Sequence, residues 1–290
     1  MKPVTISNHG KVILSGEHSV VYGQPAILAS IGLGITVRIE EGALTQAQRQ
    51  DSYLQRLLEI FADFSALPVA QLQFGLMVQA DLPQKSGLGS SAAFAAALLQ
   101  AVAAFYQVDM SQDQLYQLVV TAENFVHGRS SGADPAIVVR GGILVFTQGE
   151  VESLAAATLR EETFFLIDSG AASESTGEMV AQVAAANQPA LIARMGELTR
   201  QFAAELRHNS FQPHWLSDNQ LLLEELGVVG PKAQAMIDQL RAWGADCKIT
   251  GAGGLQTGSG YILAHHPNSM ILHIQLQNSG WRFVATHLGV

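Results

Sequence analysis

Two hydrophobic periods alternate along this chain, and the switches between them mark its elements. Val12, Ile13 and Leu14, entered through Lys11, form a short apolar run that predicts a buried strand, and the polar cluster Ser15-Gly16-Glu17-His18 follows it. Ile35, Val37 and Ile39 place β-branched side chains at alternate positions, so residues 26–40 predict a further strand. Residues 46–64 read as helical and 71–81 as strand, ending at Leu82-Pro83. Residues 92–105 consist largely of alanine and leucine with no breaker, which predicts a long helix. Ser111 and Gln114 have capping-box spacing, and Leu115, Leu118, Val119, Ala122 and Val126 recur at helical intervals, so a second helix carries Glu123 near its end.

Turn formers fill residues 128–135, a predicted loop that sets Asp134 directly before Pro135. Residues 137–139 and 143–146 read as strands around Gly141-Gly142, and 164–167 as a buried strand. Beyond residue 175 the pattern becomes that of long helices, through 207, then over 215–226 and 232–243. The chain closes with Cys247-Lys248-Ile249-Thr250, a glycine-rich loop over 251–260, and predicted strands near 261–264 and 270–275. The change of pattern places a domain boundary near residue 165, giving domains 1–165 and 166–290.

Composition narrows the function classes. The 290 residues are 48% hydrophobic and 14% charged, which is a globular composition with length enough for two domains. Lys and Arg number 16 against 25 Asp and Glu, a net charge of −9 that argues against nucleic acid or an anionic membrane as partner. Cys247 is the single cysteine, so no intrachain disulfide forms and a reducing, cytoplasmic setting is expected. The longest apolar run, 92–105, contains Gln100 and is too short to span a bilayer.

Gly87-Leu88-Gly89-Ser90-Ser91-Ala92-Ala93 runs a glycine turn into the predicted helix. The first turn of a helix has unpaired N–H donors and a positive dipole end, so this is either an anion cradle or an ordinary turn with its N-cap. It matches neither G-x-x-x-x-G-K-[ST] nor G-x-G-x-x-G. Phosphoryl transfer needs such a cradle, a divalent cation on hard oxygen ligands, a group to orient or deprotonate the acceptor, and cations to neutralise charge. Taken singly, Glu123 reads as a solvated helix residue, Asp134 as a turn aspartate, and Lys11 with Glu17 as a surface pair. Together with Ser91 they supply one candidate for each part.

Read in order, three segments resemble the motifs of the galactokinase, homoserine kinase, mevalonate kinase and phosphomevalonate kinase (GHMP) superfamily. They are Lys11 through Gly23, Gly87 through Ala93, and Lys248-Ile249-Thr250-Gly251-Ala252-Gly253-Gly254. Gly-Glu-His followed by Ser-Val-Val-Tyr-Gly is similar to the mevalonate kinase branch, as are the interval from Glu123 to Asp134 and the stretch from Asn219 to Val228. The resemblance implies an α+β, two-domain fold, N-terminal ribosomal protein S5 domain 2-like and C-terminal ferredoxin-like. It also implies ATP-dependent, magnesium-dependent phosphorylation of mevalonate in isoprenoid biosynthesis, by a homodimer. Residue by residue it implies Asp134 as catalytic base and Lys11 as its cationic partner at the transferred group. Gly87, Leu88, Gly89, Ser90 and Ser91 become the triphosphate cradle, and Ser91 and Glu123 the magnesium ligands. Glu17, His18, Gly251, Ala252 and Gly253 join Lys11 and Asp134 around the acceptor.

Two stretches depart from that pattern. Gly254 is followed by Leu255-Gln256-Thr257-Gly258-Ser259-Gly260, a longer loop than the family's. Glu174 precedes Ser175-Thr176 where mevalonate kinases commonly carry a basic residue, so it either faces solvent or signals a related acceptor. The rival readings are a phosphomevalonate or sugar kinase, a noncatalytic metabolite-binding regulator, and a structural homo-oligomer subunit. A phosphorylated acceptor asks for more cations than 16 Lys and Arg suggest, and a pure sensor has no need of both Lys11 and Asp134.

Overall fold

Strands β1 (Val4–Ser15) and β2 (Ala26–Glu40) open the chain in a computed structural model that describes residues 2–83, 86–128 and 130–290. Along β1 exposed and less exposed positions alternate, then give way to a nearly continuous buried run through Lys11, Val12 and Leu14. That is the change expected where a strand leaves a half-solvated face for a two-sided interior. Contacts divide the chain into two compact units, Met1–Gly10 with Leu33–Gln84 and Gly89–Arg140, and Lys11–Gly32 with Lys85–Leu88 and Gly141–Val290.

In the first unit the second half of β2 pairs antiparallel with β3 (Gly75–Ala80), Ile35 facing Ala80 and Glu40 facing Gly75. Helices α1 (Gln46–Gln50), α2 (Ser52–Ser65), α3 (Ser90–Tyr106), α4 (Gln112–His127) and α5 (Ala133–Arg140) complete it. The single helix expected over 46–64 is broken at Asp51, whose carboxylate caps α2 by accepting the Leu54 N–H at 2.8 Å. All the alanines of α3 except Ala104 are buried, and such small side chains let α4 and α5 approach closely. Residues 137–139, read as strand from their β-branched side chains, belong to α5 instead. Burial against α3 and α4 overrides strand propensity, and Pro135 falls within the first turn, where a missing N–H does no harm.

In the second unit the first half of β2 pairs with β4 (Ile143–Thr147), and β4 pairs with β5 (Glu150–Leu154). A separate antiparallel sheet contains β6 (Phe164–Asp168), β7 (Asp246–Thr250), β8 (Tyr261–His265) and β9 (Phe283–Thr286) in the order β7-β8-β6-β9. Around these strands lie α6 (Ala157–Glu161), α7 (Thr176–Ala186), α8 (Pro189–Arg207), α9 (His214–Leu226), α10 (Pro231–Ala242) and α11 (Ser269–Ser279). From β6 onward the order is β6, the four helices α7 to α10, β7, β8, α11 and β9, which is the ferredoxin-like β-α-β-β-α-β order with four helices in the place of the first. Phe165, Ile167, Met195, Leu223, Ile237, Ile249 and Leu272 lie in its core.

One expectation gains detail here and another changes. Within the helical stretch from 175 to 207, whose internal break the pattern did not specify, Asn187 takes a left-handed conformation (φ 48°) and ends α7 before Pro189 starts α8. Residues 270–275, expected as strand, lie in α11, where Asn268 caps by accepting the Ile271 N–H at 3.3 Å and Leu272 and Leu276 are buried one turn apart. The fold is α+β. Among the described residues no helix is long and apolar enough to cross a membrane.

Candidate functional site

Lys11, Glu17 and His18 come from β1 and the turn after it, and Lys248 reaches them from β7 within the second unit. Lys248 Nζ donates to the carbonyls of Ile13 at 2.9 Å and Ile249 at 2.8 Å and forms an ion pair with Glu17 Oε1. Glu17 Oε2 accepts from Asn219 Nδ2 at 3.1 Å. Asn219 Oδ1 in turn accepts from the Ser15 hydroxyl at 3.3 Å, and that hydroxyl lies 2.7 Å from the one of Thr199. Both charges are sealed, with side-chain exposure of 0% for Lys248 and 1% for Glu17. Burial lowers the Lys248 pKa, Glu17 opposes the shift and nearby Lys11 adds to it. Lys11 and Glu17 are therefore interior groups, not the surface pair their positions alone suggested.

His18 is held at φ 58°, in the left-handed region that a β-carbon disfavours. Its Nε2 lies 2.9 Å from the Ala252 carbonyl, and burial lowers its pKa below the ordinary value. A neutral ring beside a carbonyl must carry its proton on Nε2, so Nδ1 is an acceptor. Nδ1 is buried and makes no hydrogen bond to the described residues. Backbone strain around an unsatisfied buried acceptor is the kind of feature concentrated at functional positions.

The two glycine segments abut in this unit. A β-carbon on Gly87 (φ 76°) would lie 3.3 Å from the Thr250 carbonyl oxygen and 3.8 Å from Gly251 Cα. Leu88 accepts the Lys11 N–H at 2.9 Å, and Thr250 Oγ1 accepts the Ile13 N–H at 2.9 Å, so both loops are tied to β1. Gly251, Ala252 and Gly253 follow β7 directly. A β-carbon on Gly253 would sit 2.0 Å from the Val228 carbonyl oxygen, so that position admits only glycine.

The first unit holds the remaining residues. Gly89 (φ 76°) is the N-cap of α3 and makes no side-chain capping bond, while Ser90 and Ser91 begin the helix. Gly89 has no side chain with which to cap the first-turn N–H groups, an arrangement that suits an anion. Glu123 is only 3% exposed, contrary to a solvated helix position. The Tyr53 hydroxyl donates to the Ser91 carbonyl at 3.2 Å and lies 3.5 Å from Glu123 Oε1. Burial first, and Glu123 second, push the Tyr53 pKa up, so the phenol stays protonated. Tyr53 thus couples a buried carboxylate to the start of α3, where Ser91 also offers a hydroxyl, and carboxylate and hydroxyl are the hard oxygen donors that magnesium prefers. Asp134 lies in the first turn of α5, half-buried, rather than in the loop the sequence suggested; the helix dipole there favours its charge. Asn124 Oδ1 accepts the Ser130 N–H at 2.7 Å and ties the end of α4 to the segment entering α5.

Lys248 and Tyr53 are site neighbours that sequence reasoning passed over. Lys248 had one signal, a charge set between Cys247 and Ile249 at the head of the third motif; Tyr53 had none, because it lies within an ordinary amphipathic helix.

Comparison with known proteins gives a concordant picture. Residues 52–142 match the family model described as GHMP kinases N terminal domain. The mevalonate kinase of Archaeoglobus fulgidus is 31% identical over 260 residues, spanning 84% of this chain and 87% of its own. That of Methanothermobacter thermautotrophicus is 30% identical over 304 residues, spanning 97% of this chain and 96% of its own. Among solved structures, the Methanococcus jannaschii mevalonate kinase superposes with a TM-score of 0.84 at 21% identity, covering 99% of this chain and 98% of its own.

Proposed function

Because the chain belongs to the mevalonate kinase family of the GHMP kinases, we propose that it transfers the terminal phosphoryl group of ATP to the primary hydroxyl of mevalonate, giving 5-phosphomevalonate. The observation that carries this reading is 30% identity sustained over 97% of the chain. The buried, polar surroundings of Lys11, Glu17 and His18 support it.

In this reading the start of α3, from Gly87 to Ser91, cradles the phosphates on unpaired N–H groups. Ser91 and Glu123 would hold magnesium, which would supply positive charge to offset that of the phosphates. Asp134 accepts the acceptor's hydroxyl proton as the oxygen attacks phosphorus in line with the departing ADP. A carboxylate is a weak base for an alcohol, so Lys11 is needed to stabilise the charge that develops. Such acid–base assistance is worth about 10²–10⁴-fold, and positioning supplies much of the rest. His18 Nδ1, a buried acceptor, takes a hydrogen bond from the substrate, and Gly251, Ala252 and Gly253 border it from the second loop. Glu17 acts from behind, through Lys248 and Asn219.

We place the boundary between the family's two domains near residue 165, since β4 and β5 belong with β2 whereas β6 begins the second sheet. A cytoplasmic location and a homodimer complete the proposal; the lone buried Cys247 suits a reducing compartment, and dimerisation follows from the resemblance. The test is ADP release by purified protein with ATP and magnesium against mevalonate, phosphomevalonate, homoserine, galactose and shikimate. Turnover confined to mevalonate is expected. Turnover confined to another member of the panel, or none at all, would overturn the assignment.

A further inference from the structure

Glu174 and the lengthened second loop, the two departures from the family pattern, meet in the structure. Glu174 Oε2 accepts the N–H of Leu255 at 3.2 Å, and Oε1 is buried without a hydrogen bond to the described residues. Its backbone is fixed by the next residue, because Ser175 N-caps α7 in a capping box. There Ser175 donates its N–H to Glu178 Oε2 at 2.7 Å and accepts the Glu178 N–H at 3.3 Å. Glu174 is the residue directly before the N-cap of α7.

Around this bond the loop lies backbone to backbone against residues 169–174. A β-carbon on Gly258 would be 2.2 Å from the Gly170 carbonyl oxygen, and one on Gly254 would be 2.8 Å from Ala172 Cβ. The hydroxyls of Ser173 and Thr257 are 3.2 Å apart, Thr257 Oγ1 donates to the Ala171 carbonyl at 3.1 Å, and the Ser259 N–H donates to Ser169 Oγ at 2.9 Å. These other contacts are neutral, whereas a hydrogen bond to a carboxylate is roughly twice as strong. It also falls at Leu255, between the inner half of the loop, which meets His18 and Gly87, and the outer half packed on residues 169–173.

We infer that Glu174 is a positioning residue that latches the second glycine loop through the Leu255 N–H, so that its charge is committed to the loop and not presented to an anionic acceptor. The lengthened loop and the acidic residue are one paired change: the carboxylate supplies the anchor that the longer segment needs. The consequence for catalysis rests on the kinase reading; the latch does not.

Amide hydrogen exchange on the full chain separates the two. Glu174→Met keeps the length and apolar stem but has no acceptor, while Glu174→Gln keeps an acceptor without the charge. Exchange at Leu255 is expected to quicken at least about tenfold in Glu174→Met and under about threefold in Glu174→Gln, with α7 amides unchanged in both. Equal exchange in wild type and both variants, or equal acceleration in both variants, would overturn the latch. With ATP and mevalonate, Glu174→Met should raise KM for mevalonate more than it lowers kcat, and Glu174→Gln should restore it. Absence of turnover would count against the kinase reading alone, and the exchange result would still decide the latch.

Discussion

Lys248 and Glu17, 231 positions apart in sequence, form an ion pair with neither side chain open to solvent. Breaking such a pair from one side leaves a buried charge without its partner, at a cost of about 3–5 kcal/mol. Lys248→Met should therefore destabilise the fold by that amount in denaturant unfolding. Lys248→Met combined with Glu17→Gln should recover part of it, with a coupling of at least about 1 kcal/mol. Additive single effects would show that the pair is not an energetic unit.

His18 sets a pH dependence whose direction follows from burial. Its folded-state pKa lies below the unfolded value of 6.5, so on acidification the unfolded chain takes up the proton first. Stability is lost as pH falls below about 6.5 toward the folded pKa, by up to roughly 1.4 kcal/mol per pH unit from this group. Glu17 nearby works in the opposite sense but is outweighed. Chemical denaturation between pH 7.5 and 5.5 should give a shallower slope for His18→Gln, which keeps a donor for the Ala252 carbonyl. Parallel slopes would mean that His18 titrates alike in both states.

Tyr53 couples Ser91 to Glu123, so removing its hydroxyl should loosen the two proposed magnesium ligands without removing either. Titration with manganese in the presence of ATP, followed by electron paramagnetic resonance, should read roughly 2- to 10-fold weaker binding in Tyr53→Phe, with a larger loss in Glu123→Gln. Unchanged metal affinity in Glu123→Gln would take that residue out of the ligand set.

Cys247 is buried, and burial pushes its thiol up to about 12. Only the thiolate reacts, so labelling of the native protein by a disulfide reagent at pH 8 should run at least about a thousandfold slower than that of free cysteine, and become fast on unfolding. Rapid labelling of the native state would contradict the packing of β7.

Elements that carry their own local signal were legible in the sequence. The alanine-rich α3, the Ser111 capping box of α4 and the buried run of β6 all lie where pattern places them. Residues 137–139 and 270–275 misled because side-chain type suggested strands while tertiary burial and the Asn268 cap selected helices. The polar strand β5, with its mostly exposed Glu150, Glu152 and Ser153, has too little apolar alternation to be read. For the site, motif order singled out Lys11, Glu123 and Asp134 as candidates, but composition gave no hint that Lys11 and Glu123 are buried. The partnership of Glu17 with Lys248, or of Glu174 with Leu255, joins distant parts of the chain and becomes visible only once the strands are assembled.

Phosphorus NMR of the reaction with mevalonate, ATP and magnesium tests the central claim most directly. The account predicts a new phosphomonoester resonance growing in equal amount with ADP, reduced at least about a hundredfold in rate by Asp134→Asn while calorimetry still records ATP binding by the variant. No phosphomonoester from the wild-type protein, or near-normal turnover by Asp134→Asn, would contradict it.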